Sequence, residues 1–422
     1  MVRIIFILLA VLAIPAANGQ AKNPSDSSTR VDDPSIRTLS IRNPDDFMSP
    51  PVIRMNSEDC LDFNFDIIGD SHEYLRYRLV SCNADWTPSR LLESEYVEGF
   101  NEAEVNDYAY SSNTFVRYVN YNIRIPNPDL TPLVSGNYLL QVFREDSPDD
   151  VILQARFSVA ENLAGISANV TRQTDRGVNA EWQQVEFEVD LSGLTGINPY
   201  QDLIVTVEQN NRAQTMRTLT HPQRVEGSKA IFQHLPQLVF EAGNEYRRFE
   251  TVRIDNPGMH ADSVEFKDNI WHAYLAQDLP RAEREYSFDR TQHGRFKIDE
   301  YNASEPDLGA DYVVVHFYLD IPYQPDCEIF VGGGFALDNI IEANKMRYDH
   351  SSRLYKAEIP LKQGSYNYQY LMAGKDGASD ASPSPIEGNF HETANEYLIK
   401  VFSRPPGARY DRLISSVLVE SD

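Results

Sequence analysis

The sequence predicts an all-β, multi-domain protein built as tandem antiparallel β-sandwiches. Three observations lead there. Apolar and polar residues alternate in short runs, Gly, Pro, Asn and Asp turns separate those runs, and no segment sustains a 3.6-residue period over four turns. A length of 422 residues, 41% hydrophobic and 11% aromatic, supplies apolar surface for two to four packed cores rather than one.

Residues 1–19 read as a secretory signal peptide, with Arg3 as the basic region, Ile4 to Ile14 as the apolar core and Ala17-Asn18-Gly19 as the small-residue cleavage site. That apolar run, about eleven residues, is too short to span a ~30 Å hydrocarbon core, and no second run approaches the ~18 residues required. Direct membrane insertion of the mature chain is therefore not expected. Residues 20–37 are rich in Ser, Asp, Thr and Pro without an apolar period and predict a flexible lead-in.

A first sandwich is predicted over residues 38–160. Its strands lie near Thr38 to Ile41, Val52 to Met55, Cys60 to Ile67, Tyr74 to Cys82, Thr114 to Ile125, Tyr138 to Arg144 and Ile152 to Val159, with Glu93 to Tyr110 as an acidic, aromatic excursion. A second β unit is predicted over 165–298, with strands at Gly165 to Gln173, Gln184 to Leu191, Leu203 to Gln209, Phe249 to Arg253 and Tyr286 to Asp289, and Trp182 and Trp271 as core anchors. Asp299 to Asp311, acidic and aperiodic, predicts a linker. A third unit, 311–403, has strands at Tyr312 to Leu319, Glu328 to Val331, Leu354 to Leu361, Tyr366 to Met372 and Tyr397 to Phe402. Residues 404–422 form a tail expected to pack back at most partly.

Phe63, Phe65 and Ile67 alternate with polar residues, as do Leu75, Tyr77 and Leu79, across the turn Gly69-Asp70-Ser71-His72. Folded as a hairpin about Ser71, the two runs align Phe63 with Leu79, Phe65 with Tyr77 and Ile67 with Leu75, and Asp66 meets Arg76. The same register sets Cys60 opposite Cys82, within disulfide reach at a suitable pair; two buried free thiols are the alternative. Cys327 is expected to be a buried thiol.

The formal charge, 38 Lys+Arg against 63 Asp+Glu, is −25. Such a surface repels phosphate backbones, so no nucleic-acid partner is expected. Gly-x-x-x-x-Gly-Lys-Ser/Thr and Gly-x-Ser-x-Gly are both absent. His72-Glu73 and His391-Glu392 lack the second His of a zinc-protease helix, and no Cys-x-x-Cys pair occurs. Neither Asp146, Asp149 and Asp150 nor Asp299, Asp307 and Asp311 matches a calcium loop. Catalytic residues, cofactor and metal are all expected to be none. Glu93, Glu95, Glu98, Glu102 and Glu104 offer paired carboxylates for glycoside hydrolysis, against a solvated acidic face. Asn169-Val170-Thr171 and Asn302-Ala303-Ser304 satisfy glycosylation sequons.

The run Cys82-Asn83-Ala84-Asp85-Trp86-Thr87-Pro88-Ser89, followed by Glu95-Tyr96-Val97-Glu98-Gly99-Phe100, is more specific. With Asn113-Thr114, Tyr118 to Tyr121, Ser135-Gly136-Asn137-Tyr138 and Arg156-Phe157-Ser158-Val159, it resembles the first domain of the type IX secretion system plug family of Bacteroidota. Val207-Glu208-Gln209-Asn210, Gly243-Asn244-Glu245-Tyr246-Arg247 and Gly364-Ser365-Tyr366-Asn367-Tyr368-Gln369-Tyr370 extend the resemblance over nearly the whole mature chain. Ile67-Ile68 and Tyr246 depart from the family pattern but keep strand character. The third unit also resembles the early-set, immunoglobulin-like sandwiches found beside glycogen- and starch-binding modules.

The resemblance implies a non-enzymatic plug in the periplasm, exported by a cleavable signal and associated with the outer membrane through its partner. That partner is the giant outer-membrane β-barrel translocon, sealed on its periplasmic side by one monomeric copy per pore. The alternative is a periplasmic glycan-binding protein. Most of the residues shared with the family have two readings. Asn83 and Asp85 staple a turn or touch a partner. Trp86 fills a core or seam. Gly136-Asn137 is a tight turn. Asn244, Glu245 and Arg247 tie a loop through an ion pair or meet a partner, and Tyr366, Tyr368 and Tyr370 pack in a core or stack on sugar.

Overall fold

The computed structural model describes residues 27–337, 339–375 and 381–421. The predicted signal peptide and residues 20–26 of the lead-in lie outside them. Three β units are present, and their boundaries differ from the sequence-based division in one large respect.

The first unit is a sandwich. One sheet runs in the order Arg30–Val31, Val151–Ala160, Gly136–Arg144, Leu75–Cys82, Ala103–Glu104, with Val52–Arg54 parallel to Val151–Ala160. The facing sheet runs Ile36–Arg42, Leu61–Ile68, Tyr118–Ile125, Tyr108–Tyr110. Phe63, Phe65, Ile67, Leu75, Tyr77, Leu79 and Phe157 meet in the core between them, with Phe63 edge-on to Phe157 at 5.5 Å. The alternation thus marks the inward residues correctly, but the expected hairpin does not form. Leu61–Ile68 and Leu75–Cys82 belong to opposite sheets, because the turn at Gly69 to Tyr74 carries the chain across the core. Apolar faces meet equally well side by side or face to face, and alternation alone does not distinguish the two. As a consequence Cys60 and Cys82 are free thiols, and Arg76 pairs with Glu102 at 3.1 Å rather than with Asp66. Cys327 is also free, and half-buried rather than buried.

The described part of the lead-in is not loose. Arg30–Val31 pairs with Leu153 and Gln154 as an outer strand, and the Gln154 amide donates to the Ser28 carbonyl at 2.9 Å.

The second sandwich is discontinuous in sequence. One sheet runs Gly165–Thr171, Trp182–Asp190, Lys229–Phe232, Arg224–Glu226, with Val239–Glu241 beside Trp182–Asp190. The other runs Arg217–Leu219, Leu203–Gln209, Glu396–Ser403, Arg412–Glu420. Glu396–Ser403, predicted for the third unit, pairs with Leu203–Gln209 over seven residues, and the predicted tail supplies Arg412–Glu420 as the next strand. Tyr397, Ile399, Val401 and Ile414 enter the same core as Val185, Phe187, Val205 and Val207.

The third unit is therefore an insertion between Val239–Glu241 and Glu396–Ser403. Among the described residues eight of its nine strands follow a continuous path, Arg247–Glu250, Gly364–Gly374, Cys327–Gly332, Lys345–Asp349, Leu354–Lys362, Tyr312–Leu319, Ile270–Leu275, Ala261–Lys267, and the ninth, Phe296–Ile298, also pairs with Gly364–Gly374. Phe249 and Trp271, expected in the second unit, belong here, and Tyr286 to Asp289 forms no strand. Trp182 stays in the second unit, half-buried with the Arg176 guanidinium 4.5 Å over its ring.

Candidate functional site

The residues singled out in the sequence gather at seams between the units. The first seam joins the first sandwich to the returning C-terminal strands. Asn83 to Pro88 is a tight turn leaving Leu75–Cys82: Trp86 N–H donates to Asn83 O at 2.9 Å, and the Asp85 carboxylate accepts from Thr87 N–H at 3.0 Å and from its hydroxyl at 2.6 Å. The Asn83 amide donates to Thr87 Oγ1 at 3.1 Å. This turn forces Trp86 into the left-handed region, φ +65°, and lays its ring in the seam at 4% exposure. The Arg156 guanidinium lies 4.4 Å from the ring centroid and the Lys400 ammonium 4.9 Å, a cation–π stack contributed by two units.

Asn137 is fully buried behind that ring. Its amide donates to Asn83 O at 3.0 Å, and its carbonyl accepts from Ser158 Oγ at 2.8 Å and from Lys400 Nζ at 3.4 Å. Gly136 and Asn137 open the strand Gly136–Arg144, paired with Val159 and Ser158, rather than forming the expected tight turn; Gly136, at φ +142°, is needed where backbones approach closely, since a Cβ there would stand 3.3 Å from Asp411 O. Asp411 accepts from Ala84 N–H at 2.9 Å and faces Arg404 at 3.4 Å. Burial pulls Lys400 down from an ordinary lysine's 10.5 to about 8, opposed by Glu208 and reinforced by Arg156. Burial likewise pushes Glu208 up.

The second seam lies at the neck where the insertion leaves the second sandwich. The Asn244 amide donates to Glu387 O at 2.8 Å. Glu245 accepts from Tyr286 hydroxyl at 2.7 Å and Ala394 N–H at 3.0 Å, and burial raises its carboxyl. Arg247 donates to Asp278 at 2.7 Å and to Glu387 at 3.0 Å, and Arg281 also donates to Glu387, at 2.8 Å. Burial opposes the charge on Arg247, but Glu387 and Asp278 hold its guanidinium above the ordinary value. Asp278 stays below its ordinary range despite burial, through His260 and Arg247. Tyr366, Tyr368 and Tyr370 are all buried, and the hydroxyls of the latter two donate to the same Asp278 oxygen at 2.7 Å each. The tyrosine ladder is thus core.

Sequence reasoning missed the third seam, between the first sandwich and the insertion. Asp66 Oδ2 accepts from Lys362 Nζ and from Tyr312 hydroxyl, both at 2.7 Å, and its other oxygen accepts from the Asn120 amide at 2.8 Å. The expected linker is an integral part of this contact: Asp311 accepts from the N–H groups of Phe115 and Val116 at 2.7 and 3.0 Å, and Asp307 pairs with Arg42. The available signal was the acidic, polar face of Leu61–Ile68, where Asp62, Asn64 and Asp66 are all buried.

The groups of the first and third seams are matched across units and fix those units in place, whereas the second set, all within the insertion, braces its base. Of the acidic run, Glu93, Glu98 and Glu104 are exposed, while Glu95 pairs with Arg409 and Glu102 with Arg76. Among the described residues no three His, Cys, Asp or Glu side chains are grouped to hold a metal ion. The Asn169 and Asn302 side chains of the two sequons are exposed.

Residues 36–161 match the family model described as the type 9 secretion system plug protein 1st domain. A solved structure of a hypothetical protein from Parabacteroides merdae is 38% identical with a TM-score of 0.90, covering 93% of this chain and 99% of that one. Dimeric latent PorU from Porphyromonas gingivalis is 13% identical with a TM-score of 0.14, over 92% of this chain and 34% of that one, and carries no argument. No curated protein matches the chain. The match identifies residues 36–161, which carry the Cys82 to Trp86 turn and the Gly136-Asn137 contact behind it, as a type 9 secretion system plug protein 1st domain.

Proposed function

We propose that this chain is a non-enzymatic periplasmic plug that closes the periplasmic opening of the type IX secretion system's outer-membrane β-barrel translocon. Residues 1–19 direct its export, and one monomer serves each pore. The family match carries the association with type IX secretion. The observation that carries occlusion is that the units are tied to one another by buried polar contacts, chiefly Asp66 with Lys362 and Asn137 with Lys400.

A stopper has to resist deformation. The insertion passes the chain through the second sandwich twice, and the third seam locks the insertion to the first sandwich. A compact chain of this length is roughly 55 Å across. A barrel of about 36 strands has a backbone diameter of roughly 70 Å before insertions narrow it, so one copy obstructs much of the opening. The test is a deletion strain: uptake of large hydrophilic antibiotics should rise and fall again on complementation, and tagged protein should co-purify with the barrel from outer-membrane extracts. Unchanged permeability together with recovery of unbound chain alone would refute the proposal.

The glycan-binding reading keeps one supporting observation in the third unit. Tyr323, 49% exposed, lies 5.2 Å from Tyr348 and 5.5 Å from His350, an open ring cluster. Retardation in polysaccharide gels, lost in Tyr323→Ala, would favour it over plugging.

A further inference from the structure

The facing sheet of the first sandwich has an open outer strand. Tyr108–Tyr110 pairs on one side only, with Tyr118–Ile125. Two bonds fix the phase of that ladder: Asn122 N–H donates to Asp107 O, and Ser111 N–H donates to Tyr118 O, both at 2.9 Å. Inward-bonded positions recur at every second residue of an antiparallel edge. Asp107, Ala109 and Ser111 therefore turn their peptide groups toward the sheet, and Tyr108 and Tyr110 turn theirs away from it. Among the described residues nothing bonds to these outward N–H and C=O groups.

Natural sheet edges are guarded by charged side chains, proline or bulges. This one reads Tyr-Ala-Tyr, with the two tyrosines 38% and 49% exposed. Rings frame it. His72 stacks on Tyr108 at 4.8 Å with planes 9° apart, Tyr74 (71% exposed) meets His72 edge-on at 4.9 Å, and the Tyr110 hydroxyl is 3.2 Å from His72 Nδ1. Buried Tyr121 supports Tyr108 from beneath at 5.9 Å.

We infer that this edge is a docking site for an extended, basic segment of a partner protein, which adds to the four-stranded sheet as a fifth strand. The outward peptide groups call for an extended backbone, and one strand completes them. The more exposed rings of Tyr110 and Tyr74 favour cationic side chains on the docked strand. Exposed Asp107 precedes Tyr108 and exposed Asp70 lies two residues before His72, on a chain of net charge −25, which favours a basic partner and disfavours a second copy of this chain. The inference is independent of the plugging role, since docking is measured on the isolated protein.

The test uses the chain lacking residues 1–19 and fluorescein-labelled peptides of about seven residues. One alternates Lys and Val, one alternates Glu and Val, and a third is the Lys peptide N-methylated at every residue so that both edges lose their donors. Anisotropy titration should show the Lys peptide binding at least about tenfold more tightly than the Glu peptide, and the N-methylated peptide binding weakly. Tyr110→Ala should weaken the Lys peptide by removing a ring. Tyr110→Pro should weaken it further by removing an outward N–H as well, while keeping the thermal midpoint of Tyr110→Ala, because proline is tolerated where the N–H faces solvent. The proposal is overturned if the Lys peptide does not bind at millimolar concentration, if the Glu or N-methylated peptide binds as well, or if sedimentation shows a dimer that Tyr110→Pro dissociates. The peptide comparisons need no protein variant, so a misfolded mutant cannot mimic them.

Discussion

Lys362 Nζ lies 2.7 Å from Asp66 Oδ2, with both side chains 1% exposed, and the two residues come from different folding units. Burial pushes the Asp66 carboxyl up, and the Lys362 charge opposes that rise together with hydrogen bonds from Tyr312 and Asn120. Tyr118 closes one side, its ring 4.1 Å from the ammonium. A buried pair of this kind adds little net stability over an apolar substitute, but removing one partner leaves an unpaired charge. Lys362→Met should therefore destabilise the chain by about 3–5 kcal/mol, and Asp66→Asn/Lys362→Met should recover part of that loss. Urea unfolding of the two single variants and the double variant measures the coupling; additive losses would remove the pair from the account.

Lys400 gives a pH dependence of definite sign. Its pKa is about 8 in the fold against an ordinary 10.5, so between those values the folded state binds fewer protons than the unfolded chain. Stability therefore rises with pH across that window, on the order of 3 kcal/mol, and the buried charge exerts its full penalty below it. Lys400→Met should flatten this rise. Urea midpoints of both proteins at about pH 8 and about pH 10.5 give the comparison, and equal slopes would contradict it.

Trp86 holds the first seam from a strained backbone position. Trp86→Ala should cost about 3–5 kcal/mol through the lost ring and its two cation contacts. Substituting Arg156→Ala in addition should cost little more, because the same stack is already gone. Thermal or urea denaturation of the double-mutant cycle decides between shared and independent contributions.

The predicted tail is structural. A stop after residue 404 removes the strand Arg412–Glu420, uncovers Tyr397, Ile399 and Val401 of the second core, and frees the Ala84 N–H now held by Asp411. Expression of this truncation should give insoluble or proteolysed protein, while removal of residue 422 alone should leave a normal melt.

The thiols report which sheet each cysteine occupies. Denatured, unreduced protein should take up three equivalents of iodoacetamide, since Cys60, Cys82 and Cys327 are all free. In the native protein Cys82 should resist alkylation, because burial pushes its thiol up to about 12 and little thiolate forms. Mass spectrometry of the native and denatured reactions tests both statements.

Strand identity was legible from local chemistry. The two-residue alternation located Leu203–Gln209 and Tyr312–Leu319 to the residue and set Phe63, Phe65 and Leu79 on apolar faces, because side-chain direction in a strand depends only on the backbone repeat. The family resemblance singled out Cys82 to Trp86 and Gly136-Asn137 as separate segments, and the fold brings Asn83 and Asn137 within hydrogen-bonding distance.

Partnership between strands was decided only in three dimensions. Nothing local tells Leu61–Ile68 whether to pair with Leu75–Cys82 or to face it across a core, or tells Glu396–Ser403 to return to Leu203–Gln209 past an insertion. Asp66 shows the same limit most sharply. On a strand's polar face it is expected to meet Arg76 across a hairpin, and only the arrival of Lys362 and Tyr312, 296 and 246 residues away, turns it into a buried tether. Hydrophobic periodicity encodes which side of a strand seeks cover, whereas the identity of the cover depends on the lowest free energy of the whole assembled chain.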